Sequence, residues 1–144
     1  TRSAQVLDGS WQFGGPTEVP DATDIDPTAV HTPDTATVPS AFDVALPGVE
    51  GPRGTAFYRT TFDLPAGTGG LVHFAACSFY CSVFVSEAAD GSAGYHHVGD
   101  HRASGYSPFW LTIPPSSLSS TREMLVVVNN EFNSTTAPTH TGCA

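Results

Sequence analysis

The sequence predicts an all-β domain built as an antiparallel β-sandwich. Helical periodicity is nearly absent, and short runs of strand character recur along the chain. Turn signals separate those runs, with 14 Gly and 12 Pro among 144 residues. Six or seven short strands divided in this way stack as two sheets around one core.

The elements follow in order. Ala4 to Phe13 (AQVLDGSWQF) reads as a strand broken at the Asp8-Gly9 turn signal. Residues 14–54 hold seven of the 12 prolines among scattered Thr and Asp, and read as one long Pro/Thr-rich loop. Thr55 to Leu64 (TAFYRTTFDL) alternates with period two, a clear strand. Leu71 to Ala76 and Phe79 to Ser86 are two more, and Glu87 to Ala93 (EAADGSA) is a hairpin-type loop with its own Asp-Gly. Gly94 to His101, Phe109 to Ile113 and Glu123 to Asn129 complete the set, and Pro114-Pro115 ends one strand before a Ser-rich loop.

The length suits one domain, residues 1–144, with a real core. The 14 acidic residues stand against five arginines and no lysine, a net charge of −9, which argues against nucleic acid and anionic membranes as partners. No apolar run approaches the roughly 20 residues of a membrane helix. The polar opening TRSAQ is no signal peptide, as expected of a mature secreted chain or an excised domain.

Cys77, Cys81 and Cys143 are the cysteines. C-x3-C with nothing downstream lacks the paired spacing of a zinc site and is not a C-x-x-C redox motif. On one straight strand the Cα atoms of Cys77 and Cys81 would stand roughly 13 Å apart, too far to bridge. Either the chain turns between them, or one pairs with Cys143, or they are buried free thiols. Asn133-Ser134-Thr135 is an N-glycosylation sequon, which also favours a secreted chain.

Several segments together resemble the N-terminal jelly-roll domain of glycoside hydrolase family two, the β-glucuronidase branch in particular. LDGSWQF (Leu7 to Phe13) resembles its opening strand, VPSAFD (Val38 to Asp43) the segment after its first long loop, and FYRTTFDLP (Phe57 to Pro65) the strand with Tyr-Arg before Thr-Phe. FAACSFYCSVFV (Phe74 to Val85) falls where the family has a bend and then a strand. VGDHRASGYSPF (Val98 to Phe109) matches its glycine, acid, histidine, then Gly-Tyr and Pro-Phe. LVVVNNEFN (Leu125 to Asn133) is similar to the strand that ends in a double asparagine, and the following TTAPTHTG to the loop after it.

The resemblance implies a galactose-binding-like jelly roll lacking its last strand, because the family's domain continues beyond the point matched by Ala144. It places Cys77 at a bend and Cys81 on the next strand, with core or disulfide both open. The hairpin tip at Ser86-Glu87 and an extra residue in Arg102 to Gly105 depart from the pattern. The family's catalytic barrel, with its two glutamates, matches nothing in this chain.

Catalytic residues are therefore expected to be none. Glycoside hydrolysis needs two carboxyls set across the scissile bond, and Asp8, Asp63, Asp100, Glu123 and Glu131 read as solvated acids near strand ends. On a regular strand His97 and His101 share a face with Gly99 while His96 points away. His101 reads as structural, His96 and His97 as exposed, and no metal or cofactor is expected. Tyr106, Trp110 and Tyr95 are candidates for stacking on sugar rings, although packing accounts for them too. Trp11, Phe13, Phe57 and Phe84 read as core.

The leading expectation is a secreted, non-catalytic module that binds carbohydrate or supports the further domains of a glycosidase. The alternatives are a fragment of a full-length glycosidase and an extracellular subunit that self-assembles as a homo-oligomer or filament. In the last case the N-terminal arm TRSAQV would donate a strand to the next copy.

Overall fold

The structure, a computed structural model, describes residues 5–17, 26–38, 40–41, 55–74, 80–90, 92, 94–102, 108–115, 121–129 and 142–143. Its strands are β1 (Gly9–Thr17), β2 (Asp34–Val38), β3 (Ser40–Ala41), β4 (Thr55–Asp63), β5 (Gly70–Phe74), β6 (Tyr80–Ser86), β7 (Tyr95–Arg102), β8 (Phe109–Ile113), β9 (Thr121–Asn129) and β10 (Gly142–Cys143). A 3₁₀ turn at Pro27–Ala29 precedes β2. Six strands make one antiparallel sheet in the order β2-β1-β4-β9-β6-β7, β5 pairs with β8, and β3 pairs with β10. This is the antiparallel jelly-roll sandwich that the sequence predicts.

The central pair is β4 against β9, in register from Thr55↔Asn129 to Asp63↔Thr121. The unbroken apolar run of β9 follows from burial on both faces. Met124, Val126 and Val128 point between the sheets, and Leu125 and Val127 point the other way, all fully buried. Phe13 and Tyr58 meet edge to face inside, with ring centroids 4.9 Å apart. Phe74 of β5 and Ile113 of β8 close the core from the second sheet.

Two sequence expectations change. The first strand begins at the Asp8-Gly9 signal rather than spanning it, and runs on to Thr17. Residues 14–54 are not one loop: besides the end of β1 they hold the 3₁₀ turn, β2 and β3. The signal for β2 was the alternation in DTATV, whose Ala36 and Val38 are buried and pair with Trp11 and Gly9. Proline density in the flanks hid it.

The segment before β2 is strapped over the outer face of the large sheet. Asp26 caps the 3₁₀ turn by accepting from the Thr28 amide at 3.0 Å and the Thr28 hydroxyl at 2.7 Å, and these bonds, the hydroxyl's above all, hold its carboxyl below the ordinary value. Val30 is buried on Phe57 and its neighbours. Gly14 lets the strap approach: a Cβ there would stand 2.1 Å from the His31 carbonyl oxygen.

A bulge in β7 decides where the histidines go. His101, Asp100 and Gly99 oppose Cys81, Ser82 and Val83, but Phe84 opposes His97, so Val98 is the inserted residue. His97 and His101 therefore lie on opposite faces, contrary to the expectation for a regular strand. His101 stacks on Phe109 between the sheets at 4.2 Å, while His97 sits beside Phe84 on the outer face at 5.0 Å.

Candidate binding surfaces

The outer face of the large sheet carries a row of polar groups. Tyr95, Ser86 and Glu123 stand side by side across β7, β6 and β9. The small Ser86 side chain leaves the Tyr95 hydroxyl room to reach over and donate to Glu123 Oε2. Arg59 Nε lies 3.7 Å from the same oxygen. The remaining Arg59 nitrogens tie down the strap, Nη2 donating to the Val30 carbonyl at 3.1 Å and Nη1 to Thr32 Oγ1 at 3.3 Å. Burial pushes the Glu123 carboxyl above its ordinary 4.5, against the opposing effects of the Tyr95 hydrogen bond and Arg59. Burial, with the hydrogen bond to Glu123, pushes the Tyr95 phenol from 10.0 up to about 12.

Two rows further along, Ser82 donates to Asp100 Oδ1 at 2.5 Å, and His97 Nε2 lies 2.7 Å from the same oxygen. The residue types suggest a hydrolytic triad, but the connectivity is wrong. A serine nucleophile needs its hydroxyl on the imidazole, and here hydroxyl and imidazole both converge on the carboxylate, with Ser82 1 % exposed. The trio ties β6 to β7. Asp63 is likewise occupied, accepting from the Thr121 hydroxyl at 2.9 Å. No group of three His, Cys, Asp or Glu among the described residues could hold a metal ion.

The second surface belongs to the small sheet. Trp110 on β8 and His73 on β5 are opposed in register and point outward, their rings tilted with centroids 4.3 Å apart. Trp110 is 63 % exposed. Beside them lies a groove of about 500 Å³, bounded by β5 and Val6 and floored by Trp11, Val38 and Phe62 of the large sheet.

Of the three sugar-stacking candidates, Trp110 is presented to solvent and Tyr95 is engaged with Glu123 on the far side of the sandwich, so these two do not form one site. Tyr106 lies outside the described residues, as do Cys77 and Asn133. Trp11, Phe13, Phe57 and Phe84 are core, as read from sequence. Cys81 is buried and forms half of a disulfide, with its partner's side chain outside the described residues. Cys143 contributes backbone pairing to Ser40. Sequence reasoning missed the groove. Its one legible signal was GLVHF, where an outward Leu71 and His73 alternate with an inward Val72 and Phe74.

No protein-family profile matches the chain, and no curated protein matches it. Solved structures do. A β-glucuronidase of an uncultured Clostridium sp. superposes with a TM-score of 0.66 at 17% identity, over 86% of this chain and 21% of that one. The β-glucuronidase of Bifidobacterium dentium, complexed with coumarin-3-O-glucuronide, gives 0.64 at 22% identity, over 85% and 19%. A family-two β-galacturonidase of Eisenbergiella tayi bound to galacturonate gives 0.58 at 19% identity, over 94% and 22%. The fold is thus that of one region of family-two glycosidases, and the chain spans about a fifth of the length of the glycosidases it matches.

Proposed function

We propose that this chain is a secreted, non-catalytic β-sandwich module that supports a glycosidase of the β-glucuronidase type. The observation that carries the reading is the pattern of coverage, in which most of this chain superposes on about a fifth of each glycosidase. Asp63, Asp100 and Glu123 fit a supporting role, because each accepts a hydrogen bond from another strand of the large sheet. The Cys81 disulfide and the Asn133 sequon favour an oxidising, extracytoplasmic setting. The test is to purify the native material, measure its intact mass and assay a chromogenic glucuronide. Hydrolysis should accompany a species several times larger than 15.0 kDa, and the isolated 144-residue chain should release no chromophore. Hydrolysis by the isolated chain would sink the proposal, as would a free-standing 15.0 kDa species with no associated glycosidase.

A second reading has its own observation. The exposed Trp110 face beside His73 offers an aromatic platform of the kind that stacks on a pyranose ring. Retention on a polysaccharide affinity gel, lost in Trp110→Ala and kept in Tyr95→Phe, would support carbohydrate binding there. Equal retention of all three proteins would exclude it.

A further inference from the structure

The exposed large hydrophobic side chains among the described residues are Val6, Leu71 and Trp110, at 82 %, 67 % and 63 % exposure. All three line the same groove. Single exposed apolar residues are ordinary, but convergence on one concavity marks a surface that something covers.

The geometry of β5 indicates what. The groove touches Val72 and Phe74, which point inward, and also Leu71 and His73, which point outward. A cavity reaches both faces of a strand only by running along its edge. The pairing with β8 fills one edge of β5, and no described strand neighbours the other. Among the described residues that edge is unpaired, and its backbone N–H and C=O groups lie beside an apolar trench.

We propose that the groove receives an extended polypeptide strand from a partner protein, which pairs with β5 and sets alternate apolar side chains on Trp11, Val38 and Phe62. An extended backbone repeats donors and acceptors at the spacing that the edge requires, and its period-two side chains reach the floor. The five residues of β5 offer an edge of roughly 17 Å. Charge narrows the partner further. Asp8 and Asp63 stand at the rim, and the chain carries −9 overall, so a strand flanked by Lys or Arg is favoured and a second copy of this chain is repelled.

The expectation that the TRSAQV arm donates a strand to another copy does not fit the geometry. Gln5 is clamped to its own chain, Nε2 donating to the Asp63 carbonyl at 2.5 Å and Oε1 accepting from the Asp63 amide at 3.4 Å. Val6 then lies along its own groove. The inference stands apart from the glycosidase reading and survives if that reading fails.

The test is titration of the 144-residue chain with a synthetic peptide. Its central stretch of about seven residues alternates valine and threonine, and lysines flank it. Controls are the same peptide N-methylated at alternate central residues, and a scrambled peptide without alternation. Calorimetry reads affinity, and amide exchange reads protection at Gly70 to Phe74. Saturable binding with slowed exchange on β5 is expected, weakened at least about tenfold by N-methylation and by Leu71→Asp or Val6→Asp. Affinity indifferent to N-methylation would overturn the proposal. So would absence of peptide binding, self-association that buries β5, or protection of β5 by an oligosaccharide instead.

Discussion

Arg122 lies between the sheets, 1 % exposed, and donates from Nη2 to the carbonyl of Thr68 at 2.8 Å, across 54 residues of sequence. Its Nη1 donates to the Pro114 carbonyl at 2.9 Å, so one guanidinium joins the turn before β5 to the end of β8. Nε has no hydrogen-bond partner among the described residues. The two-stranded sheet is thereby anchored to the large one at the point where both of its strands meet the loops.

Two opposed effects set the outcome of replacing Arg122. Removing a buried cation recovers its desolvation cost, which can make an apolar substitute neutral or better. Against that, two loop carbonyls lose their donor. Because one guanidinium serves both carbonyls, its removal leaves two acceptors without their donor at once, and the loss should dominate. Arg122→Met is expected to lower unfolding stability by about 1–3 kcal/mol, read from the urea midpoint. Arg122→Lys should not rescue it, since a single ammonium cannot span both carbonyls as the planar fork does. A midpoint raised in Arg122→Met would show that desolvation outweighs the tether.

The Tyr95–Glu123 pair makes stability depend on pH at both extremes. Both folded pKa values are raised, Tyr95 from 10.0 to about 12 and Glu123 above 4.5. A raised value means that the folded state holds its proton more tightly than the unfolded one. The Tyr95 contribution is therefore complete below pH 10.0 and lost as pH rises toward about 12. The Glu123 contribution is complete below about pH 4.5 and lost as pH rises through its folded value. Tyr95→Phe should flatten the alkaline fall in thermal midpoint, and Glu123→Gln should remove the loss on leaving acid. Unchanged slopes in both variants would contradict this account.

His97 and His101 give a comparison within one strand. His97 is an exposed partner of Asp100, with side chains 45% and 27% exposed, so His97→Ala should cost under about 1 kcal/mol. His101 is stacked on Phe109 between the sheets, and its Nε2 is buried. His101→Ala should cost more than His97→Ala in the same denaturant titration. Equal costs would mean that the bulge does not separate the two faces.

That bulge also shows what the sequence could and could not disclose. Strand β4 was legible from its β-branched and aromatic residues, although its first four are buried on both faces rather than alternating, and β9 because both of its faces are buried. The faces of β7 were not, because the inserted Val98 resets the alternation, and its only mark in VGDH is the neighbouring Gly99, a weak signal of a bulge. The groove was hidden for a related reason. Local pattern shows which side chains of β5 point outward, but not that one of its edges has no neighbour among the described strands. Arg122 was passed over because a charged residue at a strand start reads as solvated, and only the three-dimensional proximity of Thr68 and Pro114 turns it inward.

Gly14 gives the sharpest steric prediction. Its added Cβ would meet the His31 carbonyl oxygen at 2.1 Å, backbone against backbone, so the strap cannot stay where it lies. At Gly99 the corresponding clash is with Leu111 Cδ2 at 2.6 Å, the tip of a side chain that can rotate. Gly14→Ala should therefore cost about 1–3 kcal/mol and Gly99→Ala less. Displacing the strap also removes the Val30 carbonyl from Arg59 and uncovers Phe57. Amide exchange near Val30 should accelerate in Gly14→Ala and remain slow in Gly99→Ala. Exchange unchanged in Gly14→Ala would mean that the strap does not rest on β1.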